Sequence, residues 1–143
     1  MKIKTSRFGE IEVADDRLID FPDGLLGFPN CRRFALLDNA QGGAFRWLQS
    51  MDEGAVAFVV ADPWIFFSDY RVNARPEDLE PIRVANIEAA AVLVIMSIKR
   101  DAGEITANLQ GPLIMNAEAR LGRQIVLNDP GLTPRHKILV GAK

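Results

Sequence analysis

The chain is poor in the residues that usually carry chemistry: it has one cysteine, Cys31, one histidine, His136, and one tyrosine, Tyr70. A lone cysteine excludes an intrachain disulfide, and with a single histidine there is no Cys/His cluster spaced for zinc. A reducing cytosol is the compartment that suits such a chain. Long hydrophobic runs are also missing. The most apolar stretch, "AAAVLVIMSI" at 89–98, is shorter than the roughly 20 residues a bilayer span needs. The first residues, "MKIKTSRFGEIEVADD", lack the apolar core of a signal peptide, so none is expected. No excess of basic charge marks a nucleic-acid binder, since 17 Lys and Arg face 19 Asp and Glu.

What charge there is, is unevenly spread. Residues 1–88 hold 15 acidic against 10 basic side chains, whereas residues 89–143 hold 4 against 7. An acidic surface repels phosphates and attracts basic proteins. With 143 residues, of which 48% are hydrophobic and 25% charged, the chain has the size and composition of one soluble domain, taken as 1–143, that buries a core without disulfides or metal.

Short strands dominate the pattern. "KIKTSRFGEIEVA" reads as a hairpin turning near Arg7–Gly9, and "RLIDF" at 17–21 as a further short strand. "FPDGLLGFPN" at 21–30 is irregular, because proline cannot donate to a ladder and Pro-x-Gly favours turns. "RRFALLDN" at 32–39 and "FRWLQSM" at 45–51 are strands joined through "AQGGA". "AVAFVVADP" at 55–63 is a buried central strand with Val59 in its core, and "WIFFSDYRV" at 64–72 continues it as an extended segment. "RPEDLEPIRV" at 75–84 holds one short helix. Pro76 fits its first turn, Glu77 and Asp78 suit the positive end of its dipole, and Pro81 limits its length. Strands follow at 90–99 and in "EITANLQ", "GPLIMN", "QIVLND" and "HKILV", with a turn at "RDAG". Eight to ten strands at such spacing predict an antiparallel β-barrel or sandwich.

No constellation for catalysis stands out. His136 lies in "TPRHK" beside cations and without an orienting carboxylate, and reads as a surface or edge-strand residue. Cys31 in "PNCRR" has arginines to lower its pKa but no partner base, so it reads as incidental. "GLLG" and "QGG" lack the strand–loop–helix setting of a phosphate site. In "ITANLQGPLIMN" at 105–116, alternation directs Ile105, Ala107 and Leu109 to one face and Thr106, Asn108 and Gln110 to the other. Gly111–Pro112 turns a corner, and Asn116 is free to bond the backbone of the next turn. The amides are thus accounted for by backbone needs.

Five segments carry a further signal when taken in order: "FPDGLLGFPNCRRFALL", "WLQSMDEGAVAFVVADPWIFFSDY", "ITANLQGPLIMN", "GRQIVL" and "RHKIL". From about residue 3 to residue 139 the chain resembles the FliW family of flagellar assembly factors. The resemblance implies a mainly β, compact antiparallel β-barrel-like single domain with one short helix, no catalytic activity, and no cofactor or metal. It also implies two protein partners in the cytoplasm: flagellin, and the translational regulator CsrA, which represses flagellin mRNA and which the FliW-like protein antagonises when free of flagellin. Direct nucleic-acid or membrane binding is not implied. Two alternatives stay open, a flagellin chaperone alone and a small β-barrel that binds RNA directly; a hydrolase using His136 or Cys31 is a third. From charge, Asp69, Glu77, Asp78 and Glu80 are candidate contacts for a basic regulator. From aromatic character, Trp64, Phe66 and Tyr70 are candidate contacts for flagellin. Alternation places Trp64 and Phe66 on one face and Phe67 on the other.

Overall fold

A computed structural model describes residues 1–39, 43–99, 101 and 103–138. Parts of the "AQGGA" link and the "RDAG" turn, and the end of the "HKILV" strand, lie outside the described residues.

The N-terminal hairpin forms as predicted, with β1 (Lys2–Thr5) antiparallel to β2 (Gly9–Glu12). The other strands are β3 (Leu18–Asp20), β4 (Arg33–Asp38), β5 (Phe45–Ser50), β6 (Ala57–Ala61), β7 (Ala91–Lys99), β8 (Glu104–Ala107), β9 (Leu113–Asn116), β10 (Leu121–Gln124) and β11 (His136–Lys137). One short helix, α1 (Pro76–Leu79), lies between β6 and β7. With β7 pairing β9 as well as β8, the strands run β3–β4–β5–β6–β7–β9–β10, and β10 meets β3 to close the ring. Closure makes a seven-stranded barrel, with β8 and β11 as a flap that continues from β7. Every pairing is antiparallel except the closing one, where Leu121 of β10 meets Asp20 of β3 in parallel.

Alternation sorts β7 between two cores. Leu93 faces the barrel interior with Phe21, Phe34, Leu48, Val60, Leu113 and Met115. Val92, Val94 and Met96 face an outer core with Tyr70, Val72, Leu79, Ile82 and Leu109. Strand β9 divides in the same way, Ile114 outward and Leu113 and Met115 inward. Burial on both faces is why these strands read as unbroken apolar runs rather than alternating ones. Phe21 packs edge-on against Phe34 in the interior with centroids 5.4 Å apart, and the exposed Phe28 packs edge-on against the half-buried Phe58 at 5.2 Å.

Three sequence expectations are corrected. Residues 64–72 do not extend β6. The Asp62 carboxylate accepts the Trp64 N–H at 2.9 Å, and with Pro63 it starts a 3-10 turn over Pro63–Ile65. The strand expected at 124–129 lies earlier, at Leu121–Gln124, where Gly122 lets the Phe21 ring sit against the backbone: a Cβ there would stand 2.5 Å from Phe21 Cζ. Val59, expected at the centre of a buried strand, is half-buried, and its neighbour Val60 is the fully enclosed residue.

The β5–β6 turn is built by polar side chains serving the backbone. Gln49 Nε2 donates to the carbonyls of Ser50, Gly54 and Val56, and Ser50 Oγ accepts from the N–H groups of Asp52 and Glu53. Asp52 Oδ2 accepts from the N–H groups of Arg32 and Arg33, so the turn also fixes the entry to β4. The amides of "ITANLQGPLIMN" act in the same way. Asn108 Oδ1 accepts the Gly111 N–H at 2.8 Å, and Asn116 Oδ1 accepts the Ala119 N–H at 3.0 Å.

Candidate protein-interaction surface

Residues 62–90 cross the outside of the barrel between β6 and β7 and carry all seven candidate contact residues. Trp64 remains 40% exposed while its Nε1 donates to the Tyr70 carbonyl at 2.7 Å. Its neighbour Ile65 is 59% exposed. Phe66 is half-buried and stacks on Phe45 of β5, and Phe67 leans on the His136 ring. The exposed apolar pair is therefore Trp64 and Ile65, because a 3-10 turn does not alternate as a strand does. Sequence reasoning passed over Ile65 because it chose its apolar candidates for aromatic character.

Tyr70 is buried, and its hydroxyl donates to the Leu109 carbonyl at 2.6 Å. Burial, with a smaller contribution from the Asp129 charge, pushes its phenol well above the ordinary range, so it stays a neutral donor. Tyr70 thus pins the outer segment to the strand end after β8.

The acidic candidates divide. Asp69, Glu77 and Glu80 are exposed, whereas Asp78 is 6% exposed. The Asp78 carboxylate accepts the Arg75 N–H at 2.9 Å and pairs with the Arg75 guanidinium at 3.4 Å and that of Arg123 at 3.9 Å. Burial alone would raise the Asp78 pKa, but the hydrogen bonds and cations outweigh it and leave the carboxyl below its usual range. Arg123 Nη1 also donates to the Glu77 and Asp78 carbonyls at 3.0 and 3.3 Å, which ties α1 to β10. The four-carboxylate face anticipated from the sequence is thus three exposed carboxylates, with a structural fourth between them in sequence. Among the described residues no hydrogen bond or ion pair links Asp69 to the helix acids.

A pKa held down in the folded state adds stability above the unfolded value, and that stability is lost as pH falls through the folded value. Asp78→Asn keeps an oxygen for the Arg75 N–H but removes the charge that faces Arg75 and Arg123, and is therefore expected to lower stability at pH 7 by about 1 kcal/mol, the difference between a charged and a neutral hydrogen bond. The gap to the wild type should close as the pH drops below about 4. Urea melts at pH 7 and pH 3 check this; an equal gap at both would mean that the charge of Asp78 contributes nothing.

At the barrel end next to Trp64 opens a cleft of about 650 Å³. Its floor includes Leu93 and Met115, and Arg17, Arg46 and Arg120 line it along with Asp16 and Asp62. Cys31 is a free thiol buried among the barrel's interior side chains. His136 pairs with Ala107 across β11–β8, and no carboxylate lies within ion-pair distance of it among the described residues. No cluster of three or more His, Cys, Asp or Glu suited to a metal occurs among the described residues, and none of their helices is long and apolar enough to cross a membrane.

The described residues thus form a small closed β-barrel wrapped by an outer segment that presents acidic and apolar side chains. The model of the FliW protein family matches residues 2–138, and the chain belongs to that family. It is 42% identical over 139 residues to the flagellar assembly factor FliW of Natranaerobius thermophilus, covering 96% of this chain and 92% of that one. It is 39% identical to the flagellar assembly factors FliW of Bdellovibrio bacteriovorus (96% of this chain, 79% of the relative) and Treponema denticola (97% and 94%). A crystal structure of the flagellar assembly factor FliW superposes with a TM-score of 0.87 at 30% identity, covering 96% of both chains. The mainly β barrel with one short helix is thus the family fold.

Proposed function

We propose that this protein acts in the cytoplasm, without catalysis, as a flagellar assembly factor that binds flagellin and, when free of it, binds and antagonises the translational regulator CsrA, relieving repression of flagellin mRNA translation. The observation that carries the regulatory half is the acidic excess of residues 1–88 together with the exposure of Asp69, Glu77 and Glu80. A regulator that grips RNA must present cations to phosphates, and an acidic partner approaches such a surface favourably. Trp64 and the neighbouring Ile65 supply exposed apolar area for flagellin, with Phe66 at the edge of the same turn. In this reading Asp78 and Tyr70 shape the surface from beneath.

Titration calorimetry with purified CsrA, repeated with flagellin already bound, tests the exchange. Binding to CsrA that vanishes in the presence of flagellin is the expected result. Heat with flagellin alone would reduce the function to a flagellin chaperone. Replacing Asp69, Glu77 and Glu80 together by lysine is expected to leave the thermal transition in place and to weaken CsrA binding at least about tenfold at low salt, or about 1.4 kcal/mol. Unchanged affinity would place the regulator's contact elsewhere.

A further inference from the structure

Strands β6 and β7 separate inside the sheet. Their shared ladder runs through Ala61↔Val94, Val60↔Ile95 and Val59↔Met96 and stops there. Past that point β6 continues through Phe58 and Ala57 paired only with β5, and β7 continues through Ser97, Ile98 and Lys99 paired only with β8. In an antiparallel ladder alternate residues direct both backbone groups to the same neighbour. The Val56 carbonyl receives the Ser50 N–H, so Val56 faces β5 and Ala57 faces the other way. The Ile95 carbonyl receives the Asn108 N–H, so Ile95 faces the β8 side and Ile98 faces β6. The next bonding pair in the series would be Ala57 with Ile98, and it is not made. Each residue therefore directs an N–H and a C=O into the gap.

The gap is a cleft of about 820 Å³ lined by Arg7, Trp47, Val59, Met96, Ile98 and Lys99, among others. Ile98 is 42% exposed, and the Arg7 guanidinium lies over the Trp47 ring at 4.4 Å. Neither Arg7 nor Lys99 has a carboxylate within ion-pair distance among the described residues, and the lining contributes one carboxylate, Asp101.

We propose that this cleft docks an extended segment of a partner protein that adds as a short strand along the free edges at Ala57 and Ile98. The segment places alternate apolar side chains on Trp47, Val59 and Ile98 and carries carboxylates at its flanks. Unpaired strand edges are satisfied by another extended backbone, and side chains of alternate residues then read the floor. Two unpaired cations against one carboxylate select acidic flanks. A second copy of this chain fits less well, because a symmetric pairing would set Arg7 and Lys99 of one copy near those of the other.

The test uses the full chain, labelled with 15N, and a blocked peptide Glu-Val-Thr-Val-Thr-Val-Glu. Chemical-shift changes centred on Ala57, Phe58 and Ile98, slowed amide exchange at Ala57 and Ile98, and at least tenfold weaker binding of the Lys-flanked counterpart are expected. Ala57→Pro removes an N–H that faces the cleft and spares the β5 ladder. It should keep the thermal transition and lose the shifts, and Ile98→Glu should act likewise where the proline variant does not fold. No shifts at millimolar peptide, shifts centred elsewhere, or equal binding of the Lys-flanked peptide would overturn the proposal. So would concentration-dependent self-association that protects the same two amides, since the occupant would then be a second copy.

Discussion

Val60→Asp is expected to abolish the cooperative thermal transition. Val60 is 0% exposed and lies in the barrel interior with Phe34, Leu48, Leu93 and Leu113. The side chains that pack it are apolar, so a carboxylate there loses its water, and the cation set beside it in the ladder is its cross-strand neighbour Arg46, which lines the cleft at the barrel end. Leaving a charge buried without a partner costs about 3–5 kcal/mol, against a total stability of about 5–15 kcal/mol for a typical protein. Loss of the valine packing adds to this. Circular dichroism melts of Val60→Asp and Val59→Asp check the assignment. The half-buried Val59 should tolerate the change better. A Val60→Asp melt within a few degrees of the wild type would show that water or the Arg46 guanidinium reaches the new carboxylate.

The second large effect is expected at Gly54. A Cβ added there would stand 1.9 Å from the Lys4 carbonyl oxygen and 3.0 Å from its carbon. Both are backbone atoms of β1, so no rotamer change relieves the contact. The Gly54 carbonyl also accepts the Ser6 N–H at 3.1 Å and one bond from Gln49 Nε2. The N-terminal hairpin is thus seated on the β5–β6 turn at this glycine, beside the contacts of Arg7 and Phe8 with Trp47. Gly54→Ala is expected to lift the hairpin away and lower stability by about 2–3 kcal/mol, the upper range for overpacking. The small core of Val13, Leu18, Ala35 and Met51, with Ile3 and Ile11 against it, would open as a consequence. Urea titration gives the loss, and amide exchange along Lys2–Thr5 locates it. Wild-type stability would mean that the hairpin has room to shift without losing its contacts.

The elements that were legible in the sequence share one property: their cause is local. Strand β7 announces itself by nine residues with little polarity, and α1 by Pro76 followed by two acids. The elements that were missed depend on distant partners or on parity. A continuous run such as "AFVVA" does not say which valine points inward, because both faces look alike from the sequence. Asp78 reads as a surface acid, since the Arg123 that encloses it is far along the chain. The turn at Pro63–Ile65 needed the Asp62 side chain to be recognised as a cap, and the hydrophobic run around it argued for a strand instead. The cleft between β6 and β7 had no sequence signal, because an unmade pairing leaves no trace in composition.

The barrel closes through one parallel residue pair, Leu121 with Asp20, supported by the Asp20 N–H donating to the Arg120 carbonyl at 2.9 Å. That contact joins points about a hundred residues apart in the chain. Its meaning is one of time as much as of space. During synthesis the ring cannot shut until β10 has left the ribosome, and the edge of β3 stays open until then. Joining ends so far apart carries an entropic cost that nearby hairpins avoid, so the seam is expected to form late. With one ladder pair, clasped by Phe21 on Gly122 and by Gln124 accepting the Leu26 N–H, it is expected to open before the long β4–β5 and β5–β6 ladders.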